Sequence, residues 1–382
     1  MSLNDEAFDD AESFQAELDP GRTEDAAHSL NCAQESDITA PEERSSPSCW
    51  PVRANIRPEE PLHALIVYHT ITSMCKGEVP CWTYISQGME RVGQKELVFT
   101  VSQNIESERD KDFPNDPLRW IEIVYSMAKG GCPVDEFEHT EFQVADFLGR
   151  SDVSWIVYCP ACPIPNIEDS LLPDDYLQAI PLLVAEAEVA DKYGLMRALG
   201  HLGALERWFP WPPWFDRYRN PCITAAQMQG SIREEMPFQY IRGLSAVKKG
   251  SKIILRVPKQ SESLLVEALL RYSPDRAFPL DTVHYINSDS GLLWDNREPQ
   301  PKGYAAGSSN ECMNLNYFAF CPGQDEDELL LVEDGYMFML ADETWLKIRG
   351  CIESLKSCHI SLGSDLRFLL RLEKSSVPDH SG

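Results

Sequence analysis

Cys159 and Cys162 stand in the run "CPAC", and two thiolates at that spacing can share a zinc ion or form a redox dithiol. A structural zinc site usually needs a second such pair, and the chain holds no other C-x-x-C. Cys358 and His359 are adjacent and point apart, while Cys75 and Cys81 are loosely spaced around a turn. The motif also follows a strand-like run, whereas a thioredoxin-type dithiol opens a helix. Two thiols at a strand end are therefore expected, with no metal and no cofactor. The rival reading is a thiol- or hydrolase-type enzyme in which folding brings a histidine to Cys159 and Cys162.

Nothing else in the sequence strengthens that rival. The eight histidines include no H-E-x-x-H pair, and neither a G-x-S-x-G elbow nor a glycine-rich phosphate loop is present. The serines beside aspartates in "GRSDVSW" and "INSDSG" read as turn chemistry. Glu333 and Asp334, at the tip of "LLLVEDGYMFML", have the charge to hold a cation but read as solvated residues of a tight turn. No catalytic residue is assigned, and the chain is read as a non-enzyme.

The other conspicuous chemistry is aromatic. Residues 207–219, "RWFPWPPWFDRYR", set Trp208, Trp211 and Trp214 among Pro210, Pro212 and Pro213. Proline fixes φ and cannot donate to a ladder, so the stretch is stiff and is held off the centre of a sheet. Packed, each ring buries about 150–250 Å² and the segment seals a joint; exposed, the same rings are a contact patch. The seal is the preferred reading, with Arg217 and Arg219 paired nearby. Trp208, Trp211 and Trp214 are the candidate partner contacts on condition that they are exposed.

The frame for these residues is mixed. "CWTYISQGM" and "KELVFTVSQ" predict a hairpin with Gly93 in its turn, and "DPLRWIEIVYSMAKGG" predicts a helix capped by Asp116 and ended by Gly130. "SWIVYCPA" and "SKIILRVPK" are strands. "TAAQMQGSIREEM", "SESLLVEALLRYS" and "ADETWLKIRGCIESLK" are helices, opened in the first two cases by Thr224 and by Ser261 or Ser263. Irregular β-β-α alternation predicts an α+β fold of two packed subdomains, 55–200 and 201–373, with mixed, largely antiparallel sheets flanked by helices.

Residues 1–54 are expected to be a disordered acidic arm and 374–382 a disordered tail. Residues 1–50 carry 13 acidic side chains against Arg22 and Arg44, a net charge of −11. Phe8 and Phe14 are the arm's candidate contacts for a partner. The whole chain has a net charge of −27, which opposes attraction to nucleic acid or anionic lipid and favours a protein partner with a basic surface. No run of about 18–20 apolar residues spans a bilayer, and the start lacks the order of a secretory signal, so no direct membrane insertion is expected. Twelve scattered cysteines fit free thiols in a reducing, cytoplasmic setting.

Several stretches together resemble the C-terminal domain shared by the Smad anchor for receptor activation and endofin. They are "CWTYISQGMERVGQKELVF" at 81–99, "LPDDYLQAIPLL" at 172–183, "LGALERWFPWPPWFDRYRNP" at 202–221, "FQYIRGLSAV" at 238–247 and "LVEDGYMFML" at 331–340. The resemblance implies an adaptor or scaffold domain in which the aromatic-proline stretch is framework. It also implies that residues 180–200 form two strands around Tyr193 and Gly194, against their helix propensity. No cysteine array here matches that family's FYVE finger and nothing matches its Smad-binding segment, so the resemblance carries over neither function, and endosomal association would need a partner. A fainter similarity, through "WTYISQG" and the helix with Trp120, runs to suppressor-of-fused-like domains, which are binding modules.

Overall fold

The computed structural model describes residues 51–108, 112–141, 146–286, 288, 290–305, 312–362 and 366–372. Most of the acidic arm, with Phe8 and Phe14, and the tail 374–382 lie outside the described residues.

The first sheet collects β1 (Val52–Arg57), β2 (Leu62–Ser73), β3 (Gly77–Gln87), β4 (Glu96–Ser102), β5 (His139–Glu141), β6 (Val153–Pro160) and β7 (Tyr176–Leu183), in the order β1-β2-β3-β4-β7-β6-β5. Val52, Arg53 and Ala54 already pair with β2, so order begins inside the stretch assigned to the arm. Helix α1 (Asp116–Lys129) covers one face. There Trp120 stacks on Tyr158, ring centroids 6.2 Å apart, over a core with Trp82 and Phe99. Its cap is Asn115 and not Asp116, because the Asp116 carboxylate accepts the Leu148 amide at 3.0 Å.

Strand β7 is buried along its whole length. Its side chains alternate between two cores, Leu177, Ala179 and Leu183 facing α1 and Ile180 and Leu182 facing the opposite layer. That layer is helical. The expected pair of strands around Tyr193 is instead α2 (Val184–Tyr193) and α3 (Leu195–Glu206). Ala, Leu and Glu carry the helix propensity, and Gly194, at φ 102°, makes the break between the two helices. A Cβ on Gly194 would also sit 2.8 Å from the Arg233 guanidinium.

The expected helix at 224–236 is two single 3-10 turns, Ala225–Met228 and Ile232–Glu234, separated by Gly230 at φ 80°. Gln227 reaches back to the Thr224 amide at 3.1 Å, which retains Thr224 as the start signal.

The remaining strands are β8 (Ser245–Lys249), β9 (Lys252–Val257), β10 (Phe278–Asp281), β11 (Ser290–Leu293), β12 (Lys302–Ala305), β13 (Met313–Leu315), β14 (Tyr317–Gln324), β15 (Glu328–Val332), β16 (Gly335–Ala341), β17 (Cys358–Leu362) and β18 (Leu366–Leu372). They form a four-stranded sheet, β10-β14-β16-β15, and a seven-stranded one, β12-β11-β13-β8-β9-β18-β17. Helices α4 (Glu262–Leu270) and α5 (Asp342–Glu353) join their core, where Phe318, Phe320, Phe338, Trp345 and Phe368 interlock. Pairings β4 with β7, β11 with β13, β14 with β16 and β9 with β18 are parallel, and the other described pairings are antiparallel. The fold is α+β with mixed, mainly antiparallel sheets.

Candidate functional site

The aromatic-proline segment is closed. Trp211 is 0% and Trp214 4% exposed, and Trp208 is half-buried. Trp211 meets Phe137 edge-on at 5.8 Å, and Trp214 meets Trp208 edge-on at 5.5 Å beside Ile71 and Cys81. Phe215 adds a one-residue parallel bridge to Val101 at the end of β4, while Trp211 packs on the face of β6 and β7 beside Val157 and Ile180. In this packing Trp211 and Trp214 do not meet the exposure condition set for partner contacts.

Arg217 and Arg219 are both buried, and their partners are remote in sequence. Arg217 donates to Glu108 at 2.7 Å, and Glu108 also accepts from the Trp82 indole at 2.9 Å. Arg219 grips Glu186 in the first turn of α2 and donates to the Pro181 carbonyl at 3.2 Å. Burying such charges is tolerable because each is paired and hydrogen-bonded.

The Glu333–Asp334 turn is not solvated. Asp334 is 1% exposed and pairs with Arg197 of α3, which is fully buried, while Glu333 accepts from Arg197, Ser231 and the Ile232 amide. Burial opposes ionisation of Asp334, yet the Arg197 guanidinium holds its carboxyl below the ordinary value. The sequence concealed this node because its three charges lie 136 and 137 positions apart.

Cys159 sits inside β6, and Cys162 just beyond it is 8% exposed. Burial pushes the Cys159 thiol well above its ordinary value and the Cys162 thiol up to about 11. The thiolate is the nucleophile and the metal ligand, so burial works against both chemistries here. Among the described residues no group of three or more His, Cys, Asp or Glu is placed to hold a metal ion.

What opens to the surface is a cleft of about 670 Å³ where β5 and β6, the joint between α2 and α3, and residues 233–240 meet. Phe137, Trp155, Met196, Phe238 and Tyr240 supply its apolar walls. His139 lies flat on Trp155, centroids 3.7 Å apart and planes 13° from parallel. Burial lowers the His139 pKa although Glu141, Asp191 and Glu138 pull it upward.

On the floor, Arg233 pairs with Asp281, donates to the Asn316 carbonyl at 3.0 Å and lies 4.6 Å from the Phe238 ring centroid. Lys192 at the rim is taken by Glu234 at 2.6 Å. Among the described residues Glu138 and Asp191, both exposed, have no cationic partner. The cleft's uncompensated charge is therefore negative. Single-residue reasoning missed the site because its lining comes from six separate stretches; the pairing of aromatic and acidic residues in "DEFEHTEF" was the available signal.

No helix among the described residues is long and apolar enough to cross a membrane. No family model matches the chain. The human protein Zinc finger FYVE domain-containing protein 9 is 23% identical over 299 residues, covering 74% of this chain and 20% of that protein. The chain thus spans about a fifth of the length of the curated relative it matches. Among solved structures, Drosophila Suppressor of Fused aligns over 85% of this chain and 93% of its own, with 11% identity and a TM-score of 0.31. A chain of the Sufu-Fu complex aligns over 44% and 83%, with 16% identity and a TM-score of 0.34. The similarities found are to the two groups of proteins that the sequence stretches resemble.

Proposed function

We propose that this chain is a non-enzymatic protein-interaction module, an adaptor or scaffold, whose cleft receives a basic segment of another protein. The observation that carries this reading is the pairing of aromatic walls with the carboxylates of Glu138 and Asp191, which among the described residues have no cationic partner, on a chain of net charge −27. Apolar side chains of a partner would bury against Trp155 and Phe238. A lysine or arginine would meet the carboxylates and the ring faces, where a cation gains about 0.5–1 kcal/mol at exposed sites. Overall acidity would steer such a segment inward and make its capture salt-dependent. Similarity to part of the human FYVE-domain protein supports an interaction role of this kind. The thiol-enzyme alternative is opposed by the buried, protonated Cys159 and Cys162.

The test is titration of a labelled lysine- and leucine-rich peptide into the protein, read by anisotropy, for the native chain and for Glu138→Lys with Asp191→Lys. Both positions are exposed, so the variant keeps the native circular dichroism spectrum. Saturable binding lost in the variant is expected; equal binding by both proteins, or none by either, overturns the cleft as a basic-segment site.

A further inference from the structure

Sheet edges present unpaired N–H and C=O groups, and folded proteins usually blunt them with proline, lysine, shortness or a covering segment. Four of the six edges here are blunted by a proline, a charged residue, shortness or a covering segment. The β10 edge is bridged by Gln239, and β12 starts next to Pro301 with Lys302. Strand β1 follows Pro51 and carries Arg53 and Arg57, and β5 has three residues, while β17 alternates polar His359 and Ser361 with its apolar residues. Strand β15, "ELLLV", has no proline, no lysine and no register shift, and among the described residues no strand pairs with its outer side. Leu330 and Leu331 are nevertheless 36% and 40% exposed.

Its hydrogen-bonding sense follows from the hairpin. Val332 pairs with Gly335 across the two-residue turn Glu333–Asp334, where Glu333 takes the positive φ of 51° that such turns require. Antiparallel pairs alternate between bonded and non-bonded, so with Val332 bonded inward, Leu331 and Leu329 turn their backbone groups to the open side. Leu330 stands opposite Met337, and Glu328 opposite Met339, both methionines being half-buried.

Immediately before the strand lie Asp325, Glu326 and Asp327, and Glu328 is its first residue. Asp327 is occupied, accepting from the Ala341 amide at 2.9 Å and the Thr344 hydroxyl at 2.7 Å at the start of α5. Among the described residues Asp325, Glu326 and Glu328 have no cationic partner.

We infer that the open edge of β15 is a second docking site, distinct from the cleft, for an extended segment of a partner protein that alternates apolar residues and carries lysine or arginine at one end. The segment adds a strand to the four-stranded sheet, its backbone bonded to Leu329 and Leu331, its apolar side chains on Leu330 and Met337, and its cations beside Asp325, Glu326 and Glu328. Charge excludes two nearer occupants. A second copy of a chain of net charge −27 brings like charge to the edge, and so does the chain's own arm, with −11.

The probe is a fluorescein-labelled peptide of alternating valine and threonine ending in a lysine cluster. Saturable binding to the native chain is expected, with slowed amide exchange at Leu329 and Leu331. Leu331→Pro removes one outward N–H at a position where an edge strand tolerates proline, and should weaken binding by about tenfold or more. Asp325→Lys with Glu326→Lys, both exposed, should weaken it comparably and supplies the readout where the proline variant fails to fold. The cleft variant Glu138→Lys with Asp191→Lys should bind this peptide as the native chain does, so failure of one site is separable from failure of the other. Equal binding by a backbone N-methylated peptide shows charge attraction alone and overturns the inference. So does an absence of binding, or a dimer of the native chain that Leu331→Pro dissociates.

Discussion

Residues 208–219 and the cleft wall are both rich in rings, yet one is closed and the other open. In the first, three prolines fix the path, Trp211 is fully buried, and Arg217 and Arg219 end on buried carboxylates. In the second, Tyr240 is 54% exposed, His139 stacks on Trp155 near the surface, and two carboxylates have no cation. Aromatic content alone does not mark a contact surface. The discriminating property is whether neighbouring polar and charged groups are already satisfied from within the chain.

The comparison breaks most decisively at Trp211. Trp211→Ala should destabilise the protein by about 3–5 kcal/mol, as large-to-small changes of a fully buried tryptophan do, and urea denaturation reads the loss. A loss below about 1 kcal/mol would mean that the segment is not the seal described.

A second contrast lies in the two histidine–aromatic stacks. His284 faces Phe209, centroids 6.0 Å apart, and burial holds its pKa down to about 4. Asn316 donates its amide to Asp334 and Leu292, so its oxygen accepts from His284 Nε2, and the buried Nδ1 has no partner for a second proton. His69 is likewise held at about 4 by burial. The unfolded chain takes up these protons near the ordinary 6.5 and the folded one only near 4. Stability from these two groups is therefore complete above 6.5 and falls as pH drops towards 4, with a limiting slope of about 1.4 kcal/mol per pH unit for each. Urea midpoints at pH 7 and pH 5 should show that decline, and His284→Met should reduce it.

The smallest effect belongs to the open region. Trp155→Ala should change stability by no more than about 1 kcal/mol while abolishing peptide capture by the cleft. A larger loss would make the Trp155–His139 stack structural and merge the two regions into one class.

Much of this was legible in residue patterns. Helical spacing of Trp120, Ile121, Val124 and Met127 defines α1, and continuous β-rich apolar runs define β3, β4, β6 and β9, whose residues are buried on both faces. Residues 184–206 went astray because a resemblance was set above the helix propensity of their Ala, Leu and Glu. Glu333 and Asp334 look like ordinary turn carboxylates until Arg197 is brought against them, which no local pattern encodes. The cleft was illegible for the same reason, since its walls meet only after β5, α2 and the 233–240 segment pack together.

The Arg197 node has a consequence for synthesis on the ribosome. Arg197 is made 136 residues before Glu333. At about 5–20 residues per second, the growing chain carries that guanidinium without its carboxylates for roughly seven to twenty-seven seconds. Helix α3 cannot reach its final depth in that interval without stranding a charge. The β15–β16 hairpin, among the last elements to emerge, is thus the piece that allows an early helix to settle, and nascent chains halted before it should remain open to chaperones.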